Sequence, residues 1–127
     1  MKKIFILGFI TFICVHGYTQ SPDEIYTVTE TMPEYPGGEE AMYSFIQKNV
    51  KYPSMAKETG IQGKVYVQFV IRKDGSVTNI EVIKGIGGGC DEEAIRVVKL
   101  FPKWKPGEQG GKPVDVRMRL PFSFKLY

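Results

Sequence analysis

Between Val114 and Leu126 apolar residues fall on alternate positions. Val114, Val116, Met118, Leu120, Phe122, Phe124 and Leu126 share one face, and Asp115, Arg117, Arg119, Ser123 and Lys125 share the other. A long period of two specifies a strand with one side packed and the other in solvent. Such a strand needs partners for its backbone and a helical layer over its apolar face. Pro121 interrupts the run without an amide hydrogen, which a fully paired central strand does not tolerate. The final strand is therefore expected at a sheet edge, at least around Pro121.

The rest of the chain supplies the layer and the partners. Ser21 to Met32 is a short polar lead-in with an extended piece at Ile25-Tyr26-Thr27-Val28, and Pro33-Glu34-Tyr35-Pro36-Gly37-Gly38 defeats a helix. Glu39 to Asn49 reads as a helix with Met42, Phe45 and Ile46 on one face and two acids in its first turn. Lys51-Tyr52-Pro53 breaks it, and Pro53 opens a second short helix, Ser54 to Thr59, closed by Gly60. Gly63 to Arg72 and Val77 to Lys84 form a hairpin about an Asp74-Gly75 turn. Gly85 to Gly89 leads into a helix from about Asp91 to Leu100, and Trp104 to Gly111 marks a surface excursion. The expected fold is a two-layer α+β sandwich, a three-stranded antiparallel sheet covered on one face by helices.

The first residues read as a targeting segment. Met1-Lys2-Lys3 is basic, Ile4 to Val15 is apolar, and His16 to Gln20 is small and polar, the layout of a secretory signal over residues 1–20. That leaves 21–32 as lead-in and 33–127 as the exported domain. The alternatives are a retained inner-membrane anchor, for which the run is short, and a lipid on Cys14. Cleavage would remove Lys2, Lys3, Cys14 and His16, lowering the formal net charge from +3 to +1. A nearly neutral domain lacks a nucleic-acid footprint. With one cysteine and no histidine it has no internal disulfide, no His-activated nucleophile and no His/Cys zinc site.

Four constellations have residue types that could carry chemistry. The Gly85-Ile86-Gly87-Gly88-Gly89-Cys90-Asp91 loop lacks the third glycine of a dinucleotide fingerprint and opens a helix with three acids. It reads as a connector, with phosphate binding as the rival. Glu39-Glu40 and Asp91-Glu92-Glu93 are candidates for an acid/base pair, but they sit where helix dipoles favour carboxylates in any case. Cys90 is a candidate nucleophile at a helix start, but its neighbouring carboxylates would raise its pKa and it has no base to activate it. Lys103-Trp104-Lys105 with Arg117 and Arg119 resembles a stacking platform for single-stranded nucleic acid, but Trp104 reads as packing under its loop. The open final strand is the fourth. Five or six added hydrogen bonds at ~0.5–1.5 kcal/mol each, less the cost of association, permit micromolar strand addition. The rival is an edge merely protected by charge and Pro121. No catalytic, cofactor, metal or small-molecule site is expected.

The ordered blocks Tyr52-Pro53-Ser54-Met55-Ala56, Gly60 to Phe69, Asp74-Gly75-Ser76-Val77, Ala94 to Val98 and Pro102-Lys103-Trp104-Lys105-Pro106-Gly107, followed by the terminal strand, carry a resemblance. Together, from about Lys51 to Tyr127, the chain resembles the C-terminal domain of TonB energy transducers. Met32 to Gly38 and the helix after it resemble an extension common in one branch of that family. The resemblance implies a periplasmic protein-binding module that grips the TonB box of outer-membrane transporters, or another envelope protein, by strand addition. It implies pairing along Val114, Asp115, Val116, Arg117, Met118, Arg119 and Leu120. It also implies contacts from Asn49, Val50 and Lys51, with Tyr52 and Pro53 matching the motif itself. A homodimer by strand exchange is open to the same edge. Ser21 to Met32 reaches at most ~40 Å extended, so gripping is expected more than pulling. The alternative is an inner-membrane transducer with a very short tether.

Overall fold

A computed structural model describes residues 24–126; the leader expected over residues 1–20 lies outside them. The elements in chain order are β1 (Ile25–Tyr26), α1 (Glu39–Asn49), α2 (Ser54–Thr59), β2 (Gly63–Ile71), β3 (Val77–Lys84), α3 (Cys90–Lys99), β4 (Gly107–Gln109) and β5 (Lys112–Phe124). The sheet runs β1-β5-β2-β3, with β4 also on β5. It is an α+β fold, as the sequence implies.

Local chemistry sets the helix limits. Glu39 and Glu40 occupy the first turn of α1 and Lys48 its last, which suits the helix dipole. Pro53 precedes α2, and Gly60 adopts a left-handed conformation (φ 72°) that lets the Ile61 N–H reach the Ala56 carbonyl at 2.9 Å. In α3, Cys90, Ala94, Val97 and Val98 are buried on one face, following helical spacing.

The β2–β3 turn closes through Gly75, at φ 90°. The Gly75 N–H donates to the Arg72 carbonyl and the Arg72 N–H to the Ser76 carbonyl, both at 2.8 Å. Two register shifts then bend β3 against β2. Asn79, the one non-glycine residue with positive φ among those described (52°), sits at the second shift, as expected of a bulge.

The core lies between the sheet and the helices. Val65, Val67, Phe69 and Ile71 of β2 meet Leu120, Phe122 and Phe124 of β5 beneath α3. At one end Tyr35 packs edge-on against Phe101 and Trp104, with ring centroids 5.6 Å apart in each pair. Trp104 is buried, as its place under the loop suggested.

Three features depart from the expectation. The sheet has two further short strands, because Trp104 to Gly111 is not merely an excursion. Gly107–Gln109 pairs back on Lys112–Val114 through the Gly110-Gly111 turn. The extended lead-in contributes Ile25–Tyr26, parallel to β5, and Thr31 and Glu34 bridge to Glu108 and Lys105. Asp115, assigned by alternation to the solvent side, is buried. Its carboxylate is taken up by the Arg72 guanidinium at 3.1 Å and the Lys73 N–H at 2.8 Å.

Candidate strand-binding edge

The open part of β5 follows from the polarity of β2. Because Arg72 exchanges backbone hydrogen bonds with the β3 side, alternation turns the polar groups of Gly63, Val65, Val67, Phe69 and Ile71 towards β5. Their partners are Phe124, Phe122, Leu120, Met118 and Val116. The residues between them, Arg117, Arg119, Pro121 and Ser123, direct their backbone N–H and C=O groups away from β2. Beyond the Arg117 N–H, which the Tyr26–Val116 pairing uses, no strand covers that side among the described residues. Pro121 thus takes its missing donor from the open edge and leaves the β2–β5 ladder intact.

The first part of the expected edge is closed. Val114 pairs with Gly107, while Asp115 and Val116 pair with Ile25 and Tyr26. All three are buried. A Cβ at Gly107 would lie 2.7 Å from the Val116 side chain, so this stretch has no room for an incoming chain. The expectation of a free edge over Val114–Leu120 is corrected for Val114, Asp115 and Val116. The open edge starts at the Arg117 carbonyl, the Arg117 N–H being taken up by the parallel Tyr26–Val116 pairing, and continues past Leu120 to Ser123. Leu120 itself points into the core.

Beside this edge runs a groove whose other wall is α1. It comprises two cavities of ≈ 620 and ≈ 420 Å³ that share Tyr43 and Pro121. Met42 and Met118 line the smaller, and Ile46, Val50, Tyr52 and Phe124 the larger. Tyr43 is 46 % exposed despite its aromatic ring.

The segment Asn49 to Pro53 is held in two ways. The Asn49 carbonyl accepts from Arg96 Nη2 at 2.6 Å, and the Lys51 N–H donates to Glu93 Oε2 at 2.7 Å. Arg96 and Glu93 are themselves paired at 2.7 Å. The Arg96 hydrogen bond, with help from the Lys51 N–H, lowers the Glu93 pKa from its ordinary 4.5 against the opposing effect of burial. Pro53 lies against Gly89. Asn49, Lys51 and Pro53 therefore face α3. Val50 and Tyr52 turn to the groove, where the Tyr52 ring meets Phe124 edge-on at 5.7 Å while its hydroxyl donates to the Ile61 carbonyl. The structure brings Val50 and Tyr52 to the Phe122–Lys125 end of β5, away from Val114–Val116.

Sequence reasoning missed Tyr43, Gln47, Ser123 and Lys125 as groove residues. An aromatic beside Met42, at the margin of the apolar stripe of α1, was the available signal for Tyr43. The glycine loop and Cys90 offer no open site. Asp91 Oδ1 accepts from the Ile86 and Gly87 amides at 2.9 and 3.2 Å, so a carboxylate already fills the glycine loop. The Cys90 thiol is fully buried, and burial, then Asp91, Glu92 and Glu93, pushes its pKa up. Among the described residues no group of three or more His, Cys, Asp or Glu side chains could hold a metal ion.

Residues 48–126, which contain the whole open edge, match the family model for the C-terminal region of Gram-negative bacterial TonB proteins. The chain belongs to the TonB C-terminal family. It is 38 % identical to Protein TonB of Helicobacter pylori over 86 residues, 64 % of this chain and 28 % of that one. It is 32 % identical to Protein TonB of Pseudomonas aeruginosa over 75 residues, 59 % of this chain and 22 % of that one. The match thus spans less than a third of either relative. The solution structure of the Helicobacter pylori TonB C-terminal domain superposes with a TM-score of 0.52 at 32 % identity, covering 68 % of this chain and 90 % of that one. The TonB C-terminal match begins at Lys48, so the β5 wall of the groove lies inside it and Met42, Tyr43 and Ile46 of α1 lie outside.

Proposed function

We propose that this chain is an exported binding domain of TonB-dependent transport, which takes an extended segment of an envelope protein as an added strand on the open edge of β5. The partner is the TonB box of an outer-membrane transporter. The observation that carries the reading is the unpaired edge from the Arg117 carbonyl to Ser123, beside an apolar groove, in a member of the TonB C-terminal family.

Strand addition suits this edge physically. Backbone pairing with the Arg117 carbonyl and with Arg119 and Ser123 contributes about 0.5–1.5 kcal/mol net per hydrogen bond. Alternate partner side chains enter the groove beneath α1. The cost of association offsets much of this, leaving micromolar binding that suits a partner engaged and released repeatedly. Val50 and Tyr52 form the far end of the groove, while Asn49, Lys51 and Pro53 hold that end in place through α3.

The test is a titration of 15N-labelled protein with a TonB-box peptide. Shifts should concentrate at Arg117 to Lys125 and at Tyr43 and Ile46. Unchanged β5 amides at millimolar peptide would refute the reading. The mass of the N-terminus of the native protein separates a cleaved leader from a retained anchor.

A further inference from the structure

The two sides of the open edge differ in chemistry, and the difference describes the partner. On the sheet face away from the helices, the edge carries Arg117 and Arg119, with Lys64 paired to Ser123 and Lys125 beyond it. Among the described residues the salt bridges are Arg72–Asp115 and Arg96–Glu93, so none of these four cations is neutralised by one. Arg119 Nε donates only to the neutral Gln68 amide, at 3.1 Å. The carboxylates on that face are Glu81, which accepts from Gln68 at 3.3 Å, and Asp115, which is committed to Arg72. Glu34 and Glu39 line the smaller cavity together with Arg119 without a salt bridge to it. On the other face, Met42, Tyr43, Ile46, Val50 and Met118 offer an apolar wall, and Lys64, Ser123 and Lys125 reach the rim of the larger cavity from the cationic side.

A strand laid on β5 alternates its side chains between these two faces. Residues opposite Arg117, Arg119 and Ser123 stand beside the cations, and those opposite Met118, Leu120 and Phe122 enter the groove. Resting on the strand-addition reading, we propose that the favoured partner segment is an alternating one, with carboxylates at every second residue on the cationic side and apolar side chains between them under α1. Directly opposed cross-strand charges each favour pairing modestly, by about twofold to fivefold in affinity, so specificity comes from the set.

The experiment uses the full chain and three synthetic peptides of equal length. They share apolar residues at alternate positions and carry Glu, Gln or Lys at the positions between. Dissociation constants are read from β5 amide shifts at low and high salt. The Glu peptide is expected to bind about tenfold tighter than the Gln peptide and the Lys peptide weaker than both. The spread should narrow at high salt, where exposed charges are screened. Arg119→Glu should reduce the preference for Glu over Gln without lowering the melting temperature. Equal binding of Glu and Gln peptides at the β5 amides overturns the charge pattern and leaves strand addition standing. Failure of all three to shift those amides overturns strand addition as well. Shifts that track protein concentration alone would assign the edge to a second copy of the chain and overturn the proposal.

Discussion

The Asp115 carboxylate bridges two elements that are distant in sequence, accepting from the Arg72 guanidinium at 3.1 Å and from the Lys73 N–H at 2.8 Å. This contact anchors β5 to the β2–β3 turn where the closed part of the edge gives way to the open part. Asp115→Ala would leave the Lys73 amide and a half-buried guanidinium short of a partner. Discounted for the exposure of Arg72, the loss should be about 2 kcal/mol. Thermal unfolding should show a melting temperature lower by roughly 8–16 °C, and an unchanged value would remove the contact from the account of stability.

Pro121 is the one outward-facing residue of the open edge that has a carbonyl but no N–H of its own. Pro121→Ala would complete the row, adding one hydrogen bond to any strand laid there. Affinity for a bound peptide should rise by about twofold to tenfold, and self-association should increase as the edge becomes more receptive. Calorimetric titration with light scattering tests both. A fall in affinity with intact folding would mean that the proline nitrogen faces β2.

Glu93 predicts the acid response. Its folded pKa is depressed below 4.5, chiefly by the Arg96 hydrogen bond. A depressed carboxylate contributes stability that is present above the unfolded pKa and is lost as pH falls through the folded value. The melting temperature should therefore drop on acidification below about pH 4.5, with the Asn49–Lys51 amides exchanging faster first. Glu93→Gln should flatten that part of the profile, and an identical slope in both proteins would reject the assignment.

Cys90 should be inert in the folded protein. The thiol is buried and its pKa raised by burial and by the Asp91, Glu92 and Glu93 carboxylates, so little thiolate is accessible. Peptide mapping after maleimide treatment should find Cys90 unmodified under native conditions and fully modified in denaturant. Rapid native labelling would show that α3 opens readily.

The elements legible in the sequence were those defined by their own residues. The alternation of Gly63 to Ile71, the Asp74-Gly75 turn, the spacing of Ala94, Val97 and Val98, and the Pro53 and Gly60 boundaries of α2 are each set by neighbours a few positions away. Period and capping therefore suffice to find them. The candidate site was legible in part for the same reason. Pro121 announces an edge, and the Tyr52-Pro53 motif announces a family.

What the sequence by itself determined is a half-buried final strand, an α+β layering and a domain without histidine if the leader is removed. Only the tertiary structure decided which stretch of that strand is open. Strands β1 and β4 are too short to show a period, and they form because β5 offers them unpaired groups, so their cover over Val114, Asp115 and Val116 has no local signature. The same holds for Asp115, whose burial depends on Arg72 and Lys73, and for Tyr43, whose place in the groove depends on where α1 docks. Alternation assigns a face to each residue of a strand, but only pairing between distant segments determines which edge remains open.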